Sequence, residues 1–182
     1  NINAFRLIES ANSGYPRDQL PVPSPGVGGY CLTKDPLLYG LTERHQIRSS
    51  ALSLLGRSIN MEAALYPVKV LRSFAKNINR PLKMLNVLII GLAFKGEPAT
   101  NDVRGSSALE VARALDEENV TVCGWDAILS DEHIAETGIQ PVQELTDGVR
   151  NADAVLILNN HRANVQPGLF VQNFKNRPKL VF

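Results

Sequence analysis

Cys31 closes a glycine run, Gly26-Val27-Gly28-Gly29-Tyr30-Cys31, and is followed by Lys34 and Asp35. A thiol reacts as its thiolate, a nearby cation raises the thiolate fraction, and a nearby carboxylate can orient or activate water. Glycines let backbone approach a ligand closely or take positive φ. The residue types in this order fit a nucleophilic Cys31 assisted by Lys34 and Asp35. A binding loop with an incidental thiol accounts for the same residues. Cys123 lies in the apolar run 120–125 and reads as a buried, inert thiol. The two cysteines are far apart, with no C-x-x-C or zinc spacing, so no metal site is expected. Free thiols of this kind fit a reducing cytoplasmic setting.

A second group of candidates is Gly91-Leu92-Ala93-Phe94-Lys95-Gly96. A dinucleotide site wants G-x-G-x-x-G, so that pyrophosphate can reach a helix N-terminus. That fingerprint is absent, which makes this a poor NAD site. The segment still suits a nucleotide: Lys95 offers a point charge for phosphate or a sugar oxygen, and Phe94 an apolar face. The helix start at Ser106 offers backbone donors. A solvated lysine is the plain alternative. Asp126 stands where a Rossmann acid would hold a ribose, but without the fingerprint a turn or cap role is expected. His161 has no visible partner and reads as surface. Arg104 beside Asp102 reads as a local ion pair worth at most about 1 kcal/mol.

Periodicity predicts the elements that must position these groups. Residues 1–12 carry apolar side chains at helical spacing and read as the last part of a helix, broken by Ser13-Gly14. Prolines at 16, 21, 23 and 25 predict an extended loop over 15–25. Asp35-Pro36 predicts a helix start, an acidic cap followed by Pro at the first helical position. Ser49 or Ser50 is expected to cap a further helix, with Leu52, Leu55, Ile59, Ala63 and Tyr66 on one face. Ile47, Leu54 and Met61 widen that face, which predicts burial on two sides, either at a subunit interface or wholly within its own domain. Pro67 kinks or ends this helix, and the pattern continues to about residue 79.

Residues 79–81 read as a linker, and the pattern then changes. Residues 84–91 read as a buried parallel strand, 105–118 as an amphipathic helix and 120–125 as a strand, a βαβ unit. A helix over 142–149 and strands over 152–158 and 180–182 follow. The expected fold is α/β: a helical segment, then a Rossmann-like doubly wound parallel sheet with helices on both faces.

The composition excludes other classes. The 182 residues carry 19 Lys+Arg against 18 Asp+Glu, a formal charge of +1. That leaves no field to attract nucleic acid or anionic lipid. No apolar run approaches the roughly 20 residues that span a bilayer, and residues 1–10 lack the pattern of a signal peptide. The chain begins at Asn1 without Met inside a helical pattern and ends in a strand, so a fragment of a longer protein is expected.

Two of these segments together carry a family resemblance. Gly26-Val27-Gly28-Gly29-Tyr30-Cys31-Leu32-Thr33-Lys34-Asp35-Pro36 resembles the G-x-G-G-x-C-x-x-K-D signature of the UDP-glucose/GDP-mannose dehydrogenases, the nucleotide-sugar 6-dehydrogenases. Residues 87–104, VLIIGLAFKGEPATNDVR, followed by Ser106, are similar to that family's V-x-G-L-x-F-K…D-x-R-x-S segment. ADAVLILNNH over 152–161 is similar to its strand end at a histidine. The matches come in the family's order.

The resemblance implies a central helical dimerisation region, here 1–80 with the cysteine loop, and a nucleotide-sugar-binding Rossmann-like domain, here 81–182. It implies two oxidations of a sugar C6 alcohol to a uronic acid with two NAD⁺, through a thiohemiacetal and a thioester on Cys31. Asp35 then assists water, and Lys34 is the signature lysine of open role. Gly28, Gly29, Tyr30, Phe94 and Lys95 fall on the substrate side, Arg104 on the cofactor side. Arg17 matches an arginine that reaches the neighbouring subunit's substrate. A homodimer through the helix over 50–66 is implied.

Several features depart from the family's pattern. Thr33 replaces a common proline, and Tyr30 stands where many members have His. The NAD fingerprint and an upstream lysine and asparagine are expected before Asn1, and an arginine soon after Phe182. The chain alone is therefore expected to oxidise nothing. UDP-sugars are favoured over GDP-mannose. The Pro-rich approach resembles the N-acetylhexosamine branch, whereas Tyr30-Cys31-Leu32 resembles the glucose branch. The competing reading is a non-catalytic nucleotide-sugar-binding or dimerisation module.

Overall fold

The structure is a computed structural model that describes residues 2–20, 24–42, 47–164 and 180–182. Pro21, Pro23 and Lys179 lie outside the described residues, as does the side chain of Ile47. The first helix, α1 (Ala4–Asn12), is capped by Asn3, whose Oδ1 accepts from the Phe5 and Arg6 amides. The described part of the proline-rich stretch that follows has no regular structure.

Helix α2 (Tyr30–Thr42) begins earlier than the Asp35-Pro36 pair predicts and carries Pro36 inside it. Tertiary contact is the reason. Gly28 and Gly29 are buried against Phe94 and Gly105, and the first turn closes on them. The Thr33 amide donates to the Gly29 carbonyl at 3.2 Å, and the Thr33 hydroxyl donates to the same oxygen at 2.9 Å. Helix α3 (Ile47–Ala64) contains Ser49 and Ser50 rather than being capped by them. It packs against α2, with Leu54 over Gly40 and the Ser53 hydroxyl donating to the Pro36 carbonyl. Leu65, with φ −88° and ψ 3°, separates α3 from α4 (Tyr66–Asn77), whose first turn holds Pro67. Proline is tolerated there because first-turn N–H groups have no intrahelical partner.

The remainder is a parallel sheet with helices on both faces. Strands β1 (Asn86–Ile90), β2 (Thr121–Trp125), β3 (Gln140–Pro141), β4 (Ala154–Ile157) and β5 (Leu180–Val181) lie in the order β3-β2-β1-β4-β5, all pairs parallel. The crossover helices are α5 (Ser107–Asp116), α6 (Asp131–Glu136) and α7 (Leu145–Asn151). Period-2 alternation splits the sheet residues between two cores. Val87, Ile89, Ala154 and Leu156 face Val68, Leu71 and Ala75 of α4 and Val111 and Leu115 of α5. Leu88, Ile90 and Val155 face Val149 and Ala152 at the α7 side.

The sequence pattern missed α6 and β3, which are short and carry few apolar residues. It also placed the helix after them too early. Gln140–Pro141 pairs with β2, and the Val142 amide still bonds the Gly124 carbonyl at 2.9 Å, so that stretch extends the ladder. At the amino end of the sheet the Asp153 carboxylate, buried, accepts from Arg80 Nη1 at 2.9 Å and from the Asn86 amide at 3.0 Å. Arg80 follows α4, so this pair ties the helical segment to the strands.

Candidate functional site

In a doubly wound sheet the ligand edge is the carboxyl end of the strands. The loop after β1 lies there and is held by side chains from the neighbouring strand ends. Asp126, just after β2, is buried. Its Oδ2 accepts from the Leu92 amide at 2.7 Å and the Ala93 amide at 3.1 Å. Its Oδ1 accepts from the Ile128 and Leu129 amides at 2.8 and 3.3 Å. Asn159 and Asn160 follow β4. Asn159 Nδ2 donates to the Ala93 carbonyl at 3.2 Å, and Asn160 Oδ1 accepts from the Gly96 and Glu97 amides at 2.9 and 3.1 Å. Phe94 and Lys95 thus sit on a segment whose backbone is pinned on both sides. The Lys95 ammonium lies over the Phe94 ring, 5.2 Å from its centroid.

The Cys31 turn docks onto this segment. A Cβ at Gly28 would collide with the Gly105 carbonyl and lie 3.1 Å from Phe94 Cβ. Gly29, at φ +93°, leaves only 3.0 Å between a Cβ and the Phe94 ring. Glycine is required at both places for this approach. Two motifs distant in sequence therefore form one surface. Cys31 is exposed in the first turn of α2, where free backbone N–H groups point outward.

Charged groups gather around Tyr30. Lys34 Nζ lies 5.0 Å and the Arg104 guanidinium 5.1 Å from the centre of its ring. Lys34 pairs with Asp35 at 3.2 Å. The Asp35 hydrogen bond and charge raise the Lys34 ammonium above its ordinary value, with Tyr30 and Cys31 adding to the effect. Asp102 is held down to about 2 by hydrogen bonds from the Arg104 side chain and backbone. The charge-assisted contacts run from Arg104 Nη2 to Asp102 Oδ2 at 2.7 Å and from Arg104 Nε to Oδ1 at 2.9 Å and Oδ2 at 3.1 Å. Asp102 in turn raises Arg104 further. Each of the two cations is thus paired with a carboxylate, and the formal charge of the four groups sums to zero.

A cleft of about 410 Å³ opens between α2, α3 and α5. Its lining takes in Tyr30, Lys34, Arg57, Asn60 and Glu110 but not Cys31.

Of the residues predicted from sequence, the structure brings together Gly28, Gly29, Tyr30, Cys31, Lys34, Asp35, Phe94, Lys95 and Arg104. Arg17 is exposed on the loop after α1, and no described contact ties it to the Cys31 turn. Cys123 is half-buried, and burial pushes its thiol up. His161 turns inward locally, its Nδ1 accepting from the Ala163 amide at 3.2 Å. Sequence reasoning missed Asn60, and it read Asn159 and Asn160 as part of a strand end without giving them a role. The only signal for the last two was two polar residues immediately after a buried strand.

The Asp126 carboxylate is taken up by four backbone N–H groups, so it is not free for a ribose. Among the described residues no group of three or more His, Cys, Asp or Glu could hold a metal ion, and no helix is long and apolar enough to cross a membrane.

Known proteins are similar to this chain in sequence and in fold. The sequence profile described as the UDP-glucose/GDP-mannose dehydrogenase family, UDP binding domain, matches residues 88–180. The UDP-N-acetyl-D-mannosamine dehydrogenase of Methanocaldococcus jannaschii is 31% identical over 161 residues, 88% of this chain and 33% of that protein. The UDP-glucose 6-dehydrogenase of Rickettsia prowazekii is 35% identical over 105 residues, 57% of this chain and 23% of that protein. The structure of a UDP-D-ManNAc dehydrogenase from Pyrococcus horikoshii superposes with a TM-score of 0.75 at 26% identity, covering 94% of this chain and 38% of that one. The chain thus spans about a third of the length of the first of these relatives. With the profile matched over half of its residues and the parallel sheet and its strand-end loop in place, the chain belongs to the UDP-glucose/GDP-mannose dehydrogenase family.

Proposed function

We propose that this chain carries the cysteine loop and the nucleotide-sugar-binding part of an NAD-dependent UDP-sugar 6-dehydrogenase, with residues 1–80 as its helical dimerisation region and 81–182 as its sugar-nucleotide domain. The observation that carries the reading is the docking of Gly28 and Gly29 onto Phe94 and Gly105, which sets Cys31 beside the strand-end loop. Phe94 and Lys95 hold the nucleotide sugar with Gly28, Gly29 and Tyr30. In the full-length enzyme a bound NAD⁺ would supply the hydride acceptor for the two oxidations, and it would be held mainly outside this chain, with Arg104 on its side of the site. Cys31 adds as thiolate to the C6 aldehyde carbon, giving a thiohemiacetal. After the second oxidation the sugar is held as a thioester. Water, oriented by Asp35, attacks the thioester carbon, and the uronate leaves as the C–S bond breaks and the thiol is restored. The Lys34–Asp35 and Arg104–Asp102 pairs frame this centre, and Arg17 reaches the substrate of the neighbouring subunit.

We further propose a UDP-N-acetylhexosamine as the sugar. The relative matched along 88% of the chain is a UDP-N-acetyl-D-mannosamine dehydrogenase, whereas the match to a UDP-glucose dehydrogenase extends along 57%. The setting is cytoplasmic, where a free nucleophilic thiol is kept reduced.

Alkylation of the isolated chain tests the site. Cys31 should label faster than the half-buried Cys123, and UDP-N-acetylmannosamine should slow Cys31 alone. Equal labelling, or no protection at saturating nucleotide sugar, refutes the assignment. In the full-length enzyme Cys31→Ala should abolish uronate formation while calorimetry still detects substrate binding. Product analysis across a panel of UDP-sugars decides the substrate.

A further inference from the structure

The Cys31 loop has a second anchor, on the helical arm rather than on the sheet. Asn60 of α3 turns its amide onto Val27. Its Oδ1 accepts from the Val27 amide at 2.7 Å, and its Nδ2 donates to the Val27 carbonyl at 2.9 Å. One side chain thus satisfies both backbone polar groups of a single loop residue. One turn further along the same face of α3, Ala64 meets Gly26, where a Cβ would lie 2.9 Å from the Ala64 Cβ. The Ser24 hydroxyl donates to the Gly26 carbonyl at 2.8 Å. Gly28 and Gly29 then contact Phe94 and Gly105 on the other side. The loop is therefore held between α3 and the strand-end segment, and Val27 is its fixed point on the helix.

We infer that Asn60 is a positioning residue for Cys31, acting through Val27 and the glycine turn. The side-chain chemistry is specific. Aspartate keeps the acceptor for the Val27 amide but sets an anion against the Val27 carbonyl, and leucine keeps the size but offers neither bond. With the clamp lost, Gly26–Gly29 is free to move relative to α3, and the first turn of α2 moves with it. The nucleotide-sugar contacts of Phe94 and Lys95 are pinned separately by Asp126, Asn159 and Asn160. That part of substrate binding is thus separable from thiol placement, and Asn60 acts on the second.

The inference rests on Cys31 as the nucleophile, so the experiment compares Asn60→Leu, Asn60→Asp and Cys31→Ala in the full-length enzyme. Both Asn60 variants should lower kcat by roughly tenfold to a hundredfold, the scale of a misplaced reacting group. KM for the UDP-sugar should stay within about threefold, because the Phe94 and Lys95 contacts are kept and only those of Gly28, Gly29 and Tyr30 loosen. Hydrogen exchange of the Val27 amide should accelerate, while the Leu92 and Ala93 amides keep their protection. Turnover kept by both Asn60 variants but lost with Cys31→Ala overturns the Asn60 assignment alone. Parallel loss of kcat, KM and the Leu92 and Ala93 protection makes Asn60 merely structural and overturns it too. Turnover unaffected by Cys31→Ala removes the function proposed above.

Discussion

Arg104 lies over Tyr30 because Asp102 holds it there with contacts from both its backbone and its guanidinium. A carboxylate this well served should titrate far below its usual range. The folded-state value near 2, against an ordinary 3.8, means that the contribution of the pair to the folded state is complete above about pH 4 and is lost as the pH falls toward 2. An NMR titration of the Asp102 carboxyl carbon should show a midpoint near 2. In Arg104→Gln that midpoint should return toward the ordinary carboxylate range. An unchanged midpoint would show that Arg104 is not the cause. The pair that holds the guanidinium over Tyr30 therefore stays ionised at neutral pH.

At the scale of elements, the loop after β1 is the piece that matters, and Asp126 is its anchor. A residue whose place in the fold fits ribose recognition is used here to fold a loop over that place. Four amides converge on two oxygens. Asp126→Asn keeps the shape but turns an NH₂ group toward amide donors, leaving one buried pair unsatisfied. The expected loss is about 1–3 kcal/mol of stability, read as a lower Tm. The amides of Leu92 and Ala93 should exchange faster, and UDP-sugar affinity should fall because Phe94 and Lys95 are no longer held. Normal protection of these amides in the variant would contradict the anchor role. The Cys31 helix makes a related point. Local rules placed its start at Asp35-Pro36, but the contact of the glycines with Phe94 moved it to Tyr30, and this puts the thiol in a first helical turn.

For the molecule as a whole, the open question is what covers the arm. Leu52, Leu55, Ile59, Met61 and Tyr66 are all more than half exposed, at 72, 55, 58, 55 and 55%. An exposed apolar surface of this extent marks an interaction site, and a second copy of this arm fits the proposed homodimer. Light scattering should show a dimer of the wild-type chain. Leu55→Glu with Ile59→Glu should give a monomer whose circular dichroism is unchanged, because neither side chain is part of the sheet core. A wild-type monomer at high concentration would count against the interface. The face of α3 that carries Asn60 holds the Cys31 loop, so the same helix would link the subunit contact to the site.

Much of this was legible in the residues alone. The apolar strand runs, the βαβ period, the serines near the start of the helix over 105–118 and the two motifs that carry the candidate site all depend on local spacing, and local spacing is what a sequence displays. The short α6 and β3 and the early start of α2 were not legible, because each depends on hydrogen bonds or contacts with residues distant in the chain, whereas Pro67 did mark the break at Leu65. The partners of the site residues were hidden for the same reason. Nothing near Asn60 in sequence says that its amide meets Val27, and nothing near Asp126 says that it holds Leu92 and Ala93. The sequence by itself determined which groups could do chemistry and which periods would build a parallel sheet. Only the tertiary structure decided which of those groups share a surface, since long-range packing and backbone hydrogen-bond satisfaction are settled when distant segments meet.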